Sequence, residues 1–259
     1  MDSVNKTLYI PLYGKSFVSK KGVILDDKMA EKIWDSEGFA LKGRSSSKWL
    51  AYYMGMRARV FDDWTGSMID NNPEAIVLHL GCGLDSRVKR VGKNCPWYDI
   101  DFPDVIAERR KYFSDNESYT MLATDLSKSN SLDAISGHRT AIVVMEGISM
   151  YLSPDELSEL FQSLNSKFEK VHLLMDCYTV FGAKMSKVKN PINDVGVTEV
   201  HGMDDPTVLS QSGIVYKQER EMTPPRLIEQ LSRGERGIFK TLYAGKVARK
   251  TYRLYEYEK

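Results

Sequence analysis

An apolar run that ends in two closely spaced glycines is the feature that most constrains this chain. Residues 75–80 are almost wholly apolar, and Gly81, Cys82 and Gly83 follow at once. Glycines at this point let the backbone approach a ligand without clashes from Cβ atoms, and a following helix directs its first amides to the same place. Such a turn is typical of nucleotide pockets in α/β sheets, although many ordinary strand-to-helix turns contain two glycines. Alone, it leaves both interpretations open.

Further strand-like runs predict the sheet that would carry this turn. They occupy residues 95–100, 119–123, 141–145 and 171–175, with helix-permitting stretches between them. Continuous apolar strands suit a parallel sheet that is covered on both faces, and right-handed crossovers make such a sheet doubly wound. A strand near 214–218, a helix from about Pro224 and a last strand at 251–258 complete the pattern. The alternation predicts an α/β fold.

The composition limits the partners and the compartment. Lys and Arg number 36 and Asp and Glu 35, so the net charge of +1 gives no electrostatic argument for nucleic acid or for an anionic membrane surface. A small-molecule partner is the expectation. Cys82, Cys95 and Cys177 lack CxxC spacing, which predicts neither disulfides nor a metal site. No apolar segment approaches the ~20 residues of a membrane span, and no secretory signal opens the chain. We therefore expect a cytoplasmic protein.

Acidic residues follow successive strands, at the edge where open α/β sheets bind ligands. Asp101 ends the second strand, and Asp125 and Glu146 follow the third and fourth. Asp101 is placed to accept hydrogen bonds from a ribose diol, or else caps the helix that Pro103 begins. Ser86 replaces the third glycine of a dinucleotide fingerprint, which disfavours a nicotinamide cofactor. Several acids in one crevice favour a ligand with a diol, an amine and a cation, and S-adenosylmethionine has all three.

The one carboxylate of that ligand needs a cation. Arg57 and Arg59 lie in a predicted helix over residues 48–71 and are the candidates. An ordinary ion pair of Arg59 with Asp62 or Asp63 on the same helix is the alternative for that residue. His79 lies inside the first strand and is predicted to be a hydrogen-bonded core histidine.

Five segments together resemble a known family. They are residues 7–15, 57–63, 80–87, 97–103 and 145–152, and they resemble the leucine carboxyl methyltransferase superfamily, most closely its bacterial polyketide O-methyltransferase branch. The resemblance implies a class I S-adenosylmethionine-dependent methyltransferase. Its fold would be Rossmann-like, with a seven-stranded, mostly parallel sheet whose last strand is antiparallel, an N-terminal helical extension and a lid insertion. We accordingly predict one domain, 1–259, which consists of a helical cap at 1–74, a cofactor-binding core at 75–177, a lid at 178–212 and the end of the sheet at 213–259.

The resemblance also implies roles for individual residues. Arg59 would bind the methionyl carboxylate, with Arg57 a close second, and Glu146 and Gly147 would border the cofactor. The remaining predicted cofactor residues are those of the turn (Gly81, Cys82, Gly83 and Asp85), of the ribose site (Asp101) and of the adenine site (Asp125 and Leu126).

The acceptor is less defined by the sequence. Methyl transfer from a sulfonium is an in-line displacement that depends mainly on alignment and on the exclusion of water, and only a hydroxyl acceptor, not a carboxylate, benefits from a general base. Tyr151, Tyr178, Asp176 and His201 are possible acceptor contacts, of which Tyr151, Tyr178 and His201 are the weak catalytic candidates. The leading hypothesis is an O-methyltransferase that acts on a hydroxyl or carboxylate of a small metabolite. A protein C-terminal carboxyl methyltransferase and a non-catalytic S-adenosylmethionine-binding protein are the alternatives.

Overall fold

The predicted sheet is present in the computed structural model, which describes residues 8–38, 41, 43–135, 139–189 and 200–259. Its seven strands have the order β3-β2-β1-β4-β5-β7-β6. Strands β1 to β5 are parallel, and β7 lies antiparallel between β5 and β6. The seven-stranded, mostly parallel sheet with an antiparallel last strand is thus confirmed. The strand bounds are β1 (Ile76–Leu80), β2 (Trp97–Asp101), β3 (Tyr119–Ala123), β4 (Thr140–Met145), β5 (Lys170–Tyr178), β6 (Val215–Arg220) and β7 (Tyr252–Glu258).

Helices cover both faces of this sheet. Strands β1 and β4 are buried along their whole length, as continuous apolar runs predict. Each face carries its own apolar cluster, one beneath the N-terminal helices and one beneath the helix that follows β4. The helix bounds are α1 (Tyr9–Lys20), α2 (Lys28–Glu37), α3 (Lys48–Asn71), α4 (Arg87–Val91), α5 (Pro103–Arg109), α6 (Pro154–Lys167), α7 (Val180–Lys189), α8 (Pro225–Ile228), α9 (Arg233–Leu242) and α10 (Gly245–Arg249).

The start of α6 explains why this helix begins where it does. The hydroxyl of Ser153 accepts a hydrogen bond from the amide of Glu156, and the Glu156 carboxylate accepts one from the Ser153 amide, which forms a capping box. Leu160, Phe161 and Leu164 are buried, and the Phe161 ring meets Tyr257 of β7 edge to face at 5.2 Å. The helix therefore fixes the β5–β7 part of the sheet.

The N-terminal region is helical, as expected, but it contains a helix that was not predicted. The predicted helix over 48–71 is α3. The pattern of residues 26–34 also predicts a shorter helix, which is α2. Pro11 and Gly14 hide α1 from a propensity argument. Gly14 lies where α1 contacts α3, since a Cβ built there would come within 2.7 Å of Met54 Cβ. This close contact explains why glycine occupies a position that costs helix propensity.

The segment proposed as a lid is only partly described. Residues 180–189 form α7, whose Gly182 approaches the backbone of Thr251. A short 3-10 helix covers Pro206–Ser212, and residues 190–199 lie outside the described part. Whether 178–212 moves as a lid stays a prediction. Among the described residues, no helix has the length and apolar character needed to cross a membrane.

Candidate active site

A cavity of about 900 Å³ opens at the carboxyl ends of the parallel strands. Its floor is the turn after β1, and the residues that follow β2, β3 and β4 form the adjoining wall. Side chains of α1, α3, α7, α9 and α10 cover it from the other side. All ten predicted cofactor residues other than Arg59 line this one cavity: Arg57, Gly81, Cys82, Gly83, Asp85, Asp101, Asp125, Leu126, Glu146 and Gly147.

The glycine turn is held in a conformation that only glycine adopts easily. Gly81 and Gly83 have φ angles of 70° and 51°. A Cβ on Gly81 would lie 2.6 Å from Ile148 Cδ1, so the turn packs directly against the segment after β4. The amides of Gly81 and Cys82 both donate to the carbonyl of Ile100, at 2.8 and 3.2 Å. These contacts bring the ends of β1 and β2 together at the cavity.

Asp101 faces the cavity and is bonded to the turn. One carboxylate oxygen accepts from the Gly83 amide and the other from the Phe102 amide, both at 2.8 Å. Helix α5 has Phe102 at its N-cap with no side-chain bond, so the interpretation of Asp101 as a side-chain cap is wrong. Burial raises the pKa of Asp101 to about 6. Each oxygen keeps a lone pair that further donors can use.

Asp125 and Leu126, which are predicted to flank the adenine, both line the cavity. Asp125 accepts a hydrogen bond from the Ser127 amide at 3.0 Å, and Leu126 is buried, with both side chains at the cavity wall. Cys82 is buried below them, and burial raises the pKa of its thiol well above the ordinary range. A neutral, buried thiol is inert, so Cys82 contributes shape rather than chemistry.

The two candidate arginines have opposite fates. Arg57 lines the cavity, donates to Glu146 and to Asp176 at 3.0 Å each, and is buried. Arg59 does not line it. The Arg59 guanidinium pairs with Asp63 at 2.7 Å on the outer face of α3 and reaches the carbonyl of Ile24. The preference for Arg59 over Arg57 is therefore a misassignment, because two positions along a helix turn a side chain by about 200°.

A buried ion network supports the floor. Glu146 pairs with Arg57 and Arg87, and Asp85 pairs with Lys15, Arg87 and Arg90. Burial alone would raise the pKa of Glu146, but Arg57 and Arg87 outweigh it and hold the pKa at about 2. Glu146 therefore stays ionised and hydrogen-bonded, which makes it a fixed negative charge rather than a proton acceptor near neutral pH.

Lys15 is a cavity residue that sequence reasoning did not assign. Its ammonium lies 2.9 Å from the Asp85 carboxylate, and both side chains are buried at the cavity wall. It belongs to one of the five segments that carry the family resemblance, which was the available signal. His79, next to this network, is buried between Asp99 and Arg87 at 3.1 Å each, which confirms it as a hydrogen-bonded core histidine.

Four of the tyrosines that line the cavity define the part of it that we call the tyrosine end. Tyr151 and Tyr178 line it as predicted, and Tyr53 of α3 and Tyr252 of β7 join them. Tyr178 and Tyr252 meet edge to face at 4.9 Å. His201 is not among the lining residues. Its backbone amide donates a hydrogen bond to the carbonyl of Met150 at 2.8 Å. Its prediction as an acceptor contact is not supported by this placement.

Tyr252 and Asp176 form a hydrogen-bonded pair at this end. The Tyr252 hydroxyl donates to Asp176 at 2.9 Å and accepts from Arg57 at 3.1 Å. Asp176 is fully buried behind the wall, accepts from the Gly147 amide at 2.7 Å, and has a pKa raised by burial. Tyr252, which no motif singled out, thus links the tyrosines to a buried carboxylate.

Comparison with known proteins identifies the family. The family model described as leucine carboxyl methyltransferase matches residues 3–165. The chain belongs to this family. This methyltransferase is 26% identical over 227 residues to the tetracenomycin polyketide synthesis O-methyltransferase TcmP of Streptomyces glaucescens, covering 86% of this chain and 84% of the relative. It is 30% identical over 135 residues to the S-adenosyl-L-methionine-dependent methyltransferase dpfgK of Gibberella zeae, covering 48% and 45%.

A solved structure supports the fold of the methyltransferase. Magnesium protoporphyrin IX methyltransferase (ChlM) from Synechocystis PCC 6803, with bound SAH, superposes with a TM-score of 0.53 at 13% identity over 95% of this chain and 97% of that one. The class I methyltransferase fold is confirmed. The protein is therefore an S-adenosylmethionine-dependent methyltransferase of the leucine carboxyl methyltransferase family.

The cavity of this methyltransferase fits such a cofactor by its charges. Asp101 ends β2 and Asp125 follows β3, and the ammonium of Lys128 lies 3.9 Å from the Asp125 carboxylate. Lys15 and Arg57 line the cavity from α1 and α3 and pair there with buried carboxylates. Carboxylates favour a diol, an amine or a sulfonium, and the buried cations favour a carboxylate. A cofactor with those groups at its two ends matches this distribution.

Proposed function

We propose that this enzyme transfers the methyl group of S-adenosylmethionine to an oxygen atom of a small molecule, either a hydroxyl or a carboxylate. The observation that carries the proposal is the volume of the cavity, together with the acidic residues on one side of it and the tyrosines on the other. Its volume of about 900 Å³ is near the top of the ~300–1,000 Å³ range of pockets that hold one drug-sized ligand. It therefore has room for a methyl donor on the acidic side and a small acceptor among the tyrosines. The similarity to an enzyme named as a polyketide O-methyltransferase supports the same acceptor class.

The cofactor would be held by residues of the first four strands and of α1 and α3. Asp101 would accept from the ribose hydroxyls, Asp125 and Leu126 would flank the adenine, and Lys15 and Arg57 would bind the methionyl carboxylate. When bound, S-adenosylmethionine supplies an electrophilic methyl group. The backbone of Gly81 and Gly83 would then allow close approach of the cofactor, since neither carries a Cβ.

The tyrosine end would orient the acceptor. In-line displacement requires a fixed angle between nucleophile, methyl and sulfur, and rigid aromatic rings restrict the acceptor without much loss of side-chain entropy. The Tyr252 hydroxyl donates a hydrogen bond to Asp176 and accepts one from Arg57. Its oxygen therefore has one lone pair left, which can accept a hydrogen bond from the hydroxyl of a methyl acceptor. A hydroxyl acceptor bonded there has a path for its proton toward Asp176. A carboxylate acceptor is already anionic and needs none.

A second candidate, methylation of a protein C-terminal carboxylate, is favoured by the description of the family. The two candidates differ in the product. A carboxylate gives a methyl ester, which mild base hydrolyses, whereas a hydroxyl gives an ether, which survives. The size of the labelled product separates a small molecule from a protein.

The experiment uses the purified chain with S-adenosylmethionine labelled in its methyl group, a metabolite extract and a protein extract. We expect the label in a small molecule and in no protein. Calorimetry with S-adenosylhomocysteine tests the cofactor site separately. Asp101→Asn should weaken binding by about 1–3 kcal/mol, because a charged hydrogen-bond acceptor is lost. Asp104→Asn, on the adjoining helix outside the cavity, is the matched control. Label confined to protein would contradict the small-molecule proposal, and no binding of S-adenosylhomocysteine would contradict the cofactor site.

A further inference from the structure

Exposed apolar side chains are concentrated on two helices beside the cavity. The described residues include eight exposed large apolar side chains, and five of these belong to α7 and α9: Val180, Phe181, Met185, Ile238 and Leu242. Single exposed apolar residues are normal on a protein surface, whereas a concentration of them marks a binding region. The position of these helices therefore bears on what the enzyme binds.

On each helix two of these side chains are four residues apart, and one of the two lines the cavity. Met185 and Leu242 are lining residues, with 47% and 57% of their surfaces exposed. Phe181 and Ile238 are exposed by 55% and 46% but are not lining residues. A side chain that both lines a cavity and contacts solvent lies at its opening. Met185 and Leu242 thus form what we call the apolar opening.

Both sides of the apolar opening are anchored. At the start of α7, Thr179 donates from its hydroxyl to the carbonyl of Lys250 at 2.7 Å and from its amide to the carbonyl of Thr251 at 3.1 Å. After α9, the Tyr243 ring stacks on Trp49 of α3 at 5.7 Å with an interplanar angle of 12°. Ordered supports of this kind hold both side chains beside the same cavity.

We propose that the apolar opening between Met185 and Leu242 binds an apolar extension of the methyl acceptor. This inference rests on the proposed function. The acceptor is then an elongated molecule, with its nucleophilic oxygen among the tyrosines and an uncharged apolar chain that leaves the cavity against Met185 and Leu242. Its contact with these side chains removes apolar surface from water on both partners.

The length of the apolar extension gives a measurable signature. Full burial of one methylene strengthens binding by about fourfold, and a wall that stays half exposed gives about half that free energy, or about twofold. A chain longer by four methylenes should therefore bind roughly fifteenfold more tightly. A glutamate substituted at Met185 or Leu242 would remove this gain in affinity, because the apolar chain of the ligand would then contact a carboxylate that must stay hydrated.

The test uses the methyl, butyl and octyl esters of 4-hydroxybenzoic acid, titrated by calorimetry with and without S-adenosylhomocysteine. We expect affinity to rise at least tenfold from butyl to octyl for the wild type. Met185→Glu and Leu242→Glu should remove this rise, whereas the controls Phe181→Glu and Ile238→Glu, at equally exposed positions on the same helices, should keep it. All four positions are on the surface, so the variants should fold, which circular dichroism verifies.

Three results would overturn the inference: no binding of any ester, an affinity independent of chain length, or a loss that is the same in the control variants. Failure of S-adenosylhomocysteine to bind would overturn the proposed function instead. The ester series without S-adenosylhomocysteine keeps these two failures apart.

Discussion

Cofactor affinity should depend on pH through Asp101. In the cofactor-free protein burial raises the pKa of this carboxyl to about 6, although the Gly83 and Phe102 amides and Arg109 act in the opposite direction. Asp104 is the other nearby acid and raises it slightly. Bound ribose would add two hydroxyl donors to the ionised form and would therefore lower the pKa again. Binding then releases a proton whenever the pH lies between the two values.

The magnitude follows from that difference. If ribose returns the pKa to the ordinary value of about 4, the difference of about two units corresponds to about 2.7 kcal/mol, or roughly a hundredfold in affinity. The dissociation constant of S-adenosylhomocysteine should be constant above pH 7 and should rise by about tenfold per unit between about pH 6 and pH 4, which gives the hundredfold total. The free energy of unfolding of the cofactor-free protein changes with pH in the opposite direction to the cofactor affinity. Its folded state holds a proton that the unfolded chain releases between about pH 4 and 6, so the contribution of Asp101 to stability falls as pH rises through that window.

Calorimetry between pH 5 and 8, in two buffers that differ in ionisation enthalpy, measures both affinity and proton release. Asp101→Asn should bind weakly and without this pH dependence, whereas Asp104→Asn should keep the dependence with its midpoint at a slightly lower pH, because Asp104 no longer raises the pKa of Asp101. His79 also borders the cavity, and burial lowers its pKa, so any dependence that it causes should persist in Asp101→Asn. An affinity independent of pH in the wild type, or an unchanged profile in Asp101→Asn, would refute the reasoning.

Three further predictions concern stability and the floor of the site. Arg57→Met should lower the free energy of unfolding by about 3–5 kcal/mol, because Glu146 and Asp176 each lose a buried cationic partner, whereas Arg59→Met should cost less than about 0.5 kcal/mol; similar losses in urea titrations would show that the two arginines are equivalent. Gly81→Ala should destabilise the fold by about 1–3 kcal/mol and weaken cofactor binding, while Gly66→Ala inside α3 should stabilise by up to about 1 kcal/mol; a neutral Gly81→Ala in thermal unfolding would contradict the strain argument. Lys15→Met should weaken S-adenosylhomocysteine binding by about 1–3 kcal/mol, and unchanged calorimetric affinity would exclude Lys15 from the carboxylate site.

The sheet could be predicted from the sequence because its strands are buried on both faces. Continuous apolar runs mark such strands without ambiguity of period, and each predicted run corresponds to a strand with shifts of a few residues. The helix α1 could not be found in this way, because Pro11 and Gly14 oppose helix propensity locally and packing against other helices, α3 among them, compensates for them.

That the predicted cofactor residues of the strand ends share one cavity could be predicted for a similar reason. Strand order places Gly81, Asp101 and Asp125 at one edge whatever the details of packing, so their positions in the chain were sufficient. The choice between Arg57 and Arg59 depends on the face of α3 on which each lies. Arg57 falls on the buried stripe of α3 with Val60 and Trp64, at helical spacing, whereas Arg59 does not. That periodicity was readable in the sequence and would have selected Arg57.

The acceptor side depends on tertiary structure. Tyr252 reaches the cavity because β7 inserts antiparallel beside β5, which brings it next to Asp176 across 76 positions of sequence. No local motif carries that information. The prediction of His201 rests on its side-chain chemistry alone, and in the structure His201 bonds the Met150 carbonyl through its backbone and does not line the cavity.

The long helix α3 has a consequence for how the two substrates are registered. Tyr53 and Arg57 are separated by four residues, which is one helical turn and a rise of about 6 Å. In the proposed arrangement Tyr53 borders the acceptor and Arg57, beside Glu146, binds the cofactor carboxylate, so the rigid helix fixes the distance between the two substrates. Because the helix is rigid, the separation of Tyr53 and Arg57 along α3 cannot adjust by part of a turn. A single residue inserted between them would advance Arg57 by about 1.5 Å and rotate it by about 100°, which removes it from the network.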